Sequence, residues 1–112
     1  MSKASALQGK GAFIGLLGLA LVLFCGVPAF AADASHGEQL ARRWCAACHV
    51  VTDDQTHGAD NVPTFQAIAK MPGFNSEKIA RFLRDPHPKM PDMQLSTYES
   101  SDLAAYIVSL GK

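Results

Sequence analysis

Apolar residues follow two different patterns along this chain. From Phe13 to Val27 they are almost continuous and no charge interrupts them. From Ser35 onward they recur three or four residues apart, the spacing of helices that bury one face. Leu40, Ala41 and Trp44 share the inward stripe of a first helix that runs into Cys45, with Ser35 as its cap and Glu38 completing a capping box. Thr64 caps a short second helix with Phe65, Ile68 and Ala69 inward, and Met71-Pro72-Gly73 stops it. Asn75 caps a third, with Phe74 as a staple against Ile79 and with Ile79, Phe82 and Leu83 on its apolar face; Asp85-Pro86 ends it. Pro86, Pro88 and Pro91 then exclude a helix. A last helix opens on the capping box Ser96 and Glu99, carries Leu103, Tyr106, Ile107 and Leu110, and stops near Gly111. Strand-like patterns of β-branched residues are missing apart from Val50-Val51, too little for a sheet. The predicted class is all-α: about four short helices and long loops.

The first pattern predicts a leader. Lys3 and Lys10 precede the apolar run, and Ala29-Phe30-Ala31 has the small-x-small form of a signal-peptidase site. Residues 1–31 are read as a signal peptide cleaved after residue 31 or 32, and residues 32–112 as the domain. The alternative is an uncleaved membrane anchor, since the uncharged run from Gly11 to Ala32 has about the 20 residues that span a bilayer. Lipid attachment at Cys25 is disfavoured by the bulky Phe24 before it. Export places the domain in the periplasm, or on the inner membrane if the leader stays.

Removing the leader changes charge and cysteine count. The whole chain balances 10 basic against 10 acidic residues, whereas from Asp33 onward there are 8 against 10. Nothing suggests a polyanion-binding surface, so nucleic acid is not an expected partner. Cys45 and Cys48 are the cysteines that remain. A domain of about 80 residues also buries little core and gains from a large apolar group at its centre.

Cys45-Ala46-Ala47-Cys48-His49 has the spacing of haem attachment. Two thiols one helical turn apart each add to a haem vinyl group, and the following imidazole binds iron. A thioredoxin-like thiol centre needs a strand before the cysteines and a parallel sheet. A structural zinc site needs four ligands, and His36, His57 and His87 lie at no common zinc spacing. A plain disulfide leaves His49 unexplained. For the sixth position, Met90 sits in His87-Pro88-Lys89-Met90-Pro91-Asp92-Met93, where prolines stiffen the backbone around a thioether. Met/His ligation raises the reduction potential, which suits an electron carrier. Met93 is the fallback, His87 a third candidate, and core filling the ordinary role of a methionine.

Beyond that motif, the chain from about Ser35 to Leu110 resembles the class I c-type cytochromes. Gly37 stands eight residues before Cys45, where that family has the glycine at the crossing of its first and last helices. Asp102-Leu103-Ala104-Ala105-Tyr106-Ile107 is similar to the family's final-helix sequence, and Met90-Pro91, six residues ahead of Ser96, to its ligand methionine. Asn61-Val62-Pro63-Thr64-Phe65 is similar to the segment whose proline carbonyl accepts a hydrogen bond from the ligand histidine, which implies that role for Pro63 behind His49. Ala41 departs from the aromatic residue common in the family, and the polar stretch Thr52 to Asn61 lacks its basic residues around the haem edge.

The resemblance implies one covalent haem c on Cys45 and Cys48, with His49 as proximal and Met90 as distal iron ligand, in a monomer that passes single electrons and makes no substrate bond. Its expected partners are a redox protein donor and acceptor, bound transiently. Trp44 is expected in the core or against haem, Arg42 and Arg43 on a solvated face, His36 and His57 at the surface, and Phe65, Ile68, Phe82 and Leu83 in the apolar shell around iron. Two alternatives stand: a fixed cytochrome subunit of a periplasmic dehydrogenase, or a haem module with an open sixth site that binds a gas or reduces peroxide.

Overall fold

The computed structural model describes residues 30–85 and 89–112; the expected leader, up to residue 29, and His87 fall outside them. Ala31–Lys112 form one unit. It holds four α-helices: α1 (Ala34–Leu40), α2 (Phe65–Ala69), α3 (Ser76–Arg84) and α4 (Thr97–Ser109). A single π-helical stretch, Ala41–Cys45, continues α1 without a break. No strand occurs among the described residues.

Helix α4 is the centre of the packing, with α1 and α3 against it and α2 touching it more lightly. Its buried side includes Leu103, Ala104, Tyr106 and Ile107, which meet Leu40, Ala41, Cys45, Val51, Phe65 and Leu83 in one core. Ile68, Phe74, Ile79 and Leu110 close over its edge.

Three of the four expected caps are present. Thr64 Oγ1 accepts from Ala67 N at 3.0 Å, and Asn75 Oδ1 accepts from Glu77 N and Lys78 N. Ser96 and Glu99 form a complete capping box, each side chain taking the other's backbone N–H. The first helix differs. Asp33, not Ser35, is its cap, taking both Ser35 N and His36 N on Oδ1. A carboxylate serves both donors where the Ser35 hydroxyl, one residue later, is already inside the helix.

Trp44 is also not where the 3.6-residue period put it. It is 49% exposed, with the Arg43 guanidinium 5.0 Å from its ring centroid, whereas Cys45 is buried. The π stretch explains the change. Ala46 N bonds Ala41 O at 3.0 Å, five residues back, so one extra residue enters the turn and the inward stripe reads Leu40, Ala41, Cys45. Phe82 is likewise 50% exposed, because Ala80 and Leu83 form the strip of α3 that is buried.

The crossing of α1 and α4 is close. A Cβ at Gly37 would overlap the Asp102 carbonyl oxygen and stand 2.9 Å from Tyr106 Cβ, so glycine is required there. Polar groups join the same crossing. Asp33 N donates to Asp102 Oδ1 at 2.7 Å, and His36 Nδ1 lies 2.8 Å from Asp102 Oδ2. His36, expected as an ordinary surface residue, therefore has a fixed partner.

Candidate haem-attachment site

The site is built on the carboxyl end of the π stretch. Cys48 N and His49 N both donate to Cys45 O, at 3.1 and 2.9 Å, and turn the chain sharply after the helix. Both thiols are free; Cys45 is buried and Cys48 exposed. Burial pushes the Cys45 thiol up to about 11.

His49 is buried, its Nδ1 2.7 Å from the carbonyl oxygen of Pro63. A carbonyl only accepts, so Nδ1 carries the proton and the lone pair is on Nε2. The Phe65 ring lies 5.3 Å from the imidazole and tilted by 51°. Phe65 N also donates to Val50 O at 3.0 Å, which joins the start of α2 to the histidine's own segment.

That segment is held carbonyl by carbonyl. Ala59 N donates to Cys48 O at 2.8 Å, across an approach so close that a Cβ on Gly58 would come within 2.5 Å of the same oxygen. Tyr106 Oη donates to Val51 O at 2.6 Å and fixes the segment to α4. The Gln55 side chain binds Ala46 O, His49 O, His57 O and Val51 N. Outside, Arg42 bonds Glu38 and reaches across to both oxygens of Asp54. Arg42, followed by the Thr52 hydroxyl, lowers the Asp54 carboxyl to about 2.

Met90 and Met93 lie beyond α3 in a stretch without helix, each half-buried. Gln94 there has φ of 52°. A cavity of about 470 Å³ lies between α3 and α4, lined by Ala80, Ala104 and Val108 among others, and none of the expected site residues borders it.

The donor set suits a covalent haem: two thiols on one turn, a buried imidazole with one nitrogen committed to a carbonyl and the other carrying its lone pair, and thioethers farther along. No group of three or more His, Cys, Asp or Glu among the described residues forms an alternative metal cluster. Residues 32–107 match the family model described as cytochrome C oxidase, cbb3-type, subunit III.

This chain belongs to the small monohaem class I c-type cytochromes. It is 57% identical over 82 residues to cytochrome c-552 of Bradyrhizobium diazoefficiens, covering 73% of this chain and 79% of the relative. It is 38% identical over 103 residues to cytochrome c6 of a Picosynechococcus species, covering 84% and 87%. No solved structure matches significantly. The protein is therefore a cytochrome c electron-transfer protein with covalently bound haem c. No helix of the described residues is long and apolar enough to cross a membrane.

Three features of this cytochrome escaped the sequence pattern: the π stretch, the Asp33–His36–Asp102 group and the Gln55 contacts. The last two join side chains to residues or backbone elsewhere in the chain, and periodicity carries no trace of such contacts. A signal for Gln55 was available only in retrospect, as the uncharged amide within Thr52-Asp53-Asp54-Gln55.

Proposed function

We propose that this cytochrome is a periplasmic carrier of single electrons, with Cys45 and Cys48 as the haem thioethers, His49 as the proximal and Met90 as the distal iron ligand. The observation that carries this reading is the 2.7 Å bond from His49 Nδ1 to Pro63 O, which fixes the tautomer and directs the other nitrogen's lone pair to a metal. When bound, the haem supplies an iron that takes up and gives back one electron. The chain's residues do the rest. Pro63 O holds the Nδ1 proton and makes the imidazole a stronger donor, while Phe65 packs beside the ring and limits water around it. Met90 supplies a thioether that favours the reduced state.

In this reading residues 1–31 are a leader removed after residue 31 or 32, the mature domain is residues 32–112, and partners dock weakly and briefly on a small interface. The two relatives are named as single cytochromes, c-552 and c6, which supports the carrier reading. The family description as an oxidase subunit supports a second reading, a cytochrome resident in a larger redox complex. Co-purification with an oxidase or dehydrogenase through high salt would favour that second reading.

Carbon monoxide tests the ligand assignment. The ferrous wild type is expected to resist it, Met90→Ala to bind it rapidly, and Met93→Ala to behave as wild type. Binding to the wild type would refute the methionine-ligated carrier, and binding to Met93→Ala alone would transfer the ligand role to Met93. Intact mass of the matured protein tests the rest: one added haem and loss of residues 1–31 or 1–32 are expected.

A further inference from the structure

Gln55 stands outside every motif that identified the haem site, yet its amide touches that site's backbone at more points than any other side chain described. Oε1 accepts from Val51 N at 3.0 Å. Nε2 faces three carbonyl oxygens: His49 at 2.7 Å, Ala46 at 3.0 Å and His57 at 3.1 Å. An amide nitrogen has two hydrogens, so the three acceptors share them. One planar group therefore ties the peptide that leaves His49, the residue two beyond it, and the first alanine between the cysteines. The amide's acceptor and donors match the groups they face; a carboxylate would place a charge against three carbonyls, and a hydrocarbon would leave part-buried polar groups unpaired.

We propose that Gln55 is a positioning residue for the iron ligand: by locking the backbone on both sides of His49 it sets the orientation in which the imidazole is held against Pro63. The inference rests on His49 being the proximal ligand. The Pro63 bond alone leaves the ring free to pivot with its own backbone, because the contact is a single point 14 residues away in sequence. Backbone bonds hold His49 N and Cys48 O, and Gln55 limits the freedom that remains, since His49 O and Val51 N are both bound by the same amide. Tyr106 on Val51 O and Phe65 on Val50 O anchor the segment to α4 and α2 but act on the side away from the cysteines. His49 N already bonds Cys45 O at 2.9 Å, and Gln55, by also reaching Ala46 O, adds the side-chain tie between the ligand's backbone and the turn bearing the thiols.

The test uses the matured holoprotein of wild type, Gln55→Leu, Gln55→Glu and, as a control for a general loss of packing, Ile79→Val at the edge of the core. In the ferrous wild type the His49 ring protons are read first: a large ring-current shift marks a ligand, and ordinary positions would refute the ligand reading itself. With that established, the spread of the four haem methyl shifts in the ferric protein reports the plane of the axial imidazole. The expected result is an altered spread in both Gln55 variants and none in Ile79→Val, together with amide exchange at Val51 faster by about tenfold in Gln55→Leu, the equivalent of one ordinary hydrogen bond. If either Gln55 variant that carries haem is less stable but keeps the wild-type methyl spread, Gln55 is structural only and the proposal fails. Gln55→Glu keeps the acceptor for Val51 N and the side chain's length, so it serves as the readout if Gln55→Leu fails to mature.

Discussion

At the scale of single residues, the strength of the site comes from satisfying buried backbone groups. Tyr106 is a clear case: burial raises its phenol above the ordinary range, and its hydroxyl donates at 2.6 Å to Val51 O. Tyr106→Phe should lower stability by about 1–3 kcal/mol, since a buried carbonyl loses its donor. Denaturant titration of the holoprotein checks this; an unchanged midpoint would mean that water replaces the hydroxyl. The caps that were legible beforehand, Thr64, Asn75 and Ser96, have partners within a few positions. Trp44 and Phe82 leave the inward stripe that a period of 3.6 gave them, because that period ranks faces without knowing where a helix changes pitch or which strip its neighbour covers.

At the scale of elements, the crossing of α1 on α4 carries two devices at one place. Gly37 was readable, from its distance to Cys45 and the matching Asp102–Ile107 stretch. Gly37→Ala should cost about 1–3 kcal/mol or more, because the backbones must separate to admit a methyl group; a thermal midpoint within a degree of wild type would contradict the close crossing. The polar device was not readable, since it joins residues 66 positions apart. The Asp102 hydrogen bond raises His36 above its ordinary 6.5. Burial pushes Asp102 up, but the bonds from His36 and Asp33 N outweigh it and leave the carboxyl below 3.8. Asp33 and Glu99 also face His36 and favour its charged form. A raised histidine stabilises the fold fully below its unfolded value and loses that contribution as pH rises through the folded value. A lowered carboxylate stabilises above its unfolded value and loses that contribution as pH falls. The crossing should therefore be tightest between about pH 4 and about pH 6.5. Relative to His36→Gln, the wild type should lose thermal midpoint as pH rises above about 6.5 and through the raised folded value of His36. Parallel curves for the two proteins would show that the pair contributes nothing.

At the scale of the molecule, the sequence pattern foresaw an all-helical unit with a haem motif at the end of its first helix, and the structure has that architecture. What it could not convey is how thin the core is. Among the described residues the large apolar side chains of the buried core are few, Leu40, Val51, Phe65, Leu83, Leu103, Tyr106 and Ile107, and Trp44, Met71 and Phe82 are each about half exposed. The helices are also short, at 7, 5, 9 and 13 residues, below or near the length at which a helix is marginal by itself in water. Caps and ion pairs add small increments, and those of Arg42 and Arg81 are exposed. A unit of about 80 residues with so small a core is near the limit of what folds without a covalent or metal staple. Residues 32–112 made without the leader, and so without attached haem, should then lack a cooperative transition. Far-UV circular dichroism should show a helical signal well below that of the holoprotein, with a gradual, non-sigmoidal response to urea. Native helicity with a sharp transition in the haem-free chain would mean that α4 and its neighbours are self-sufficient, and that the prosthetic group adds chemistry without setting the fold.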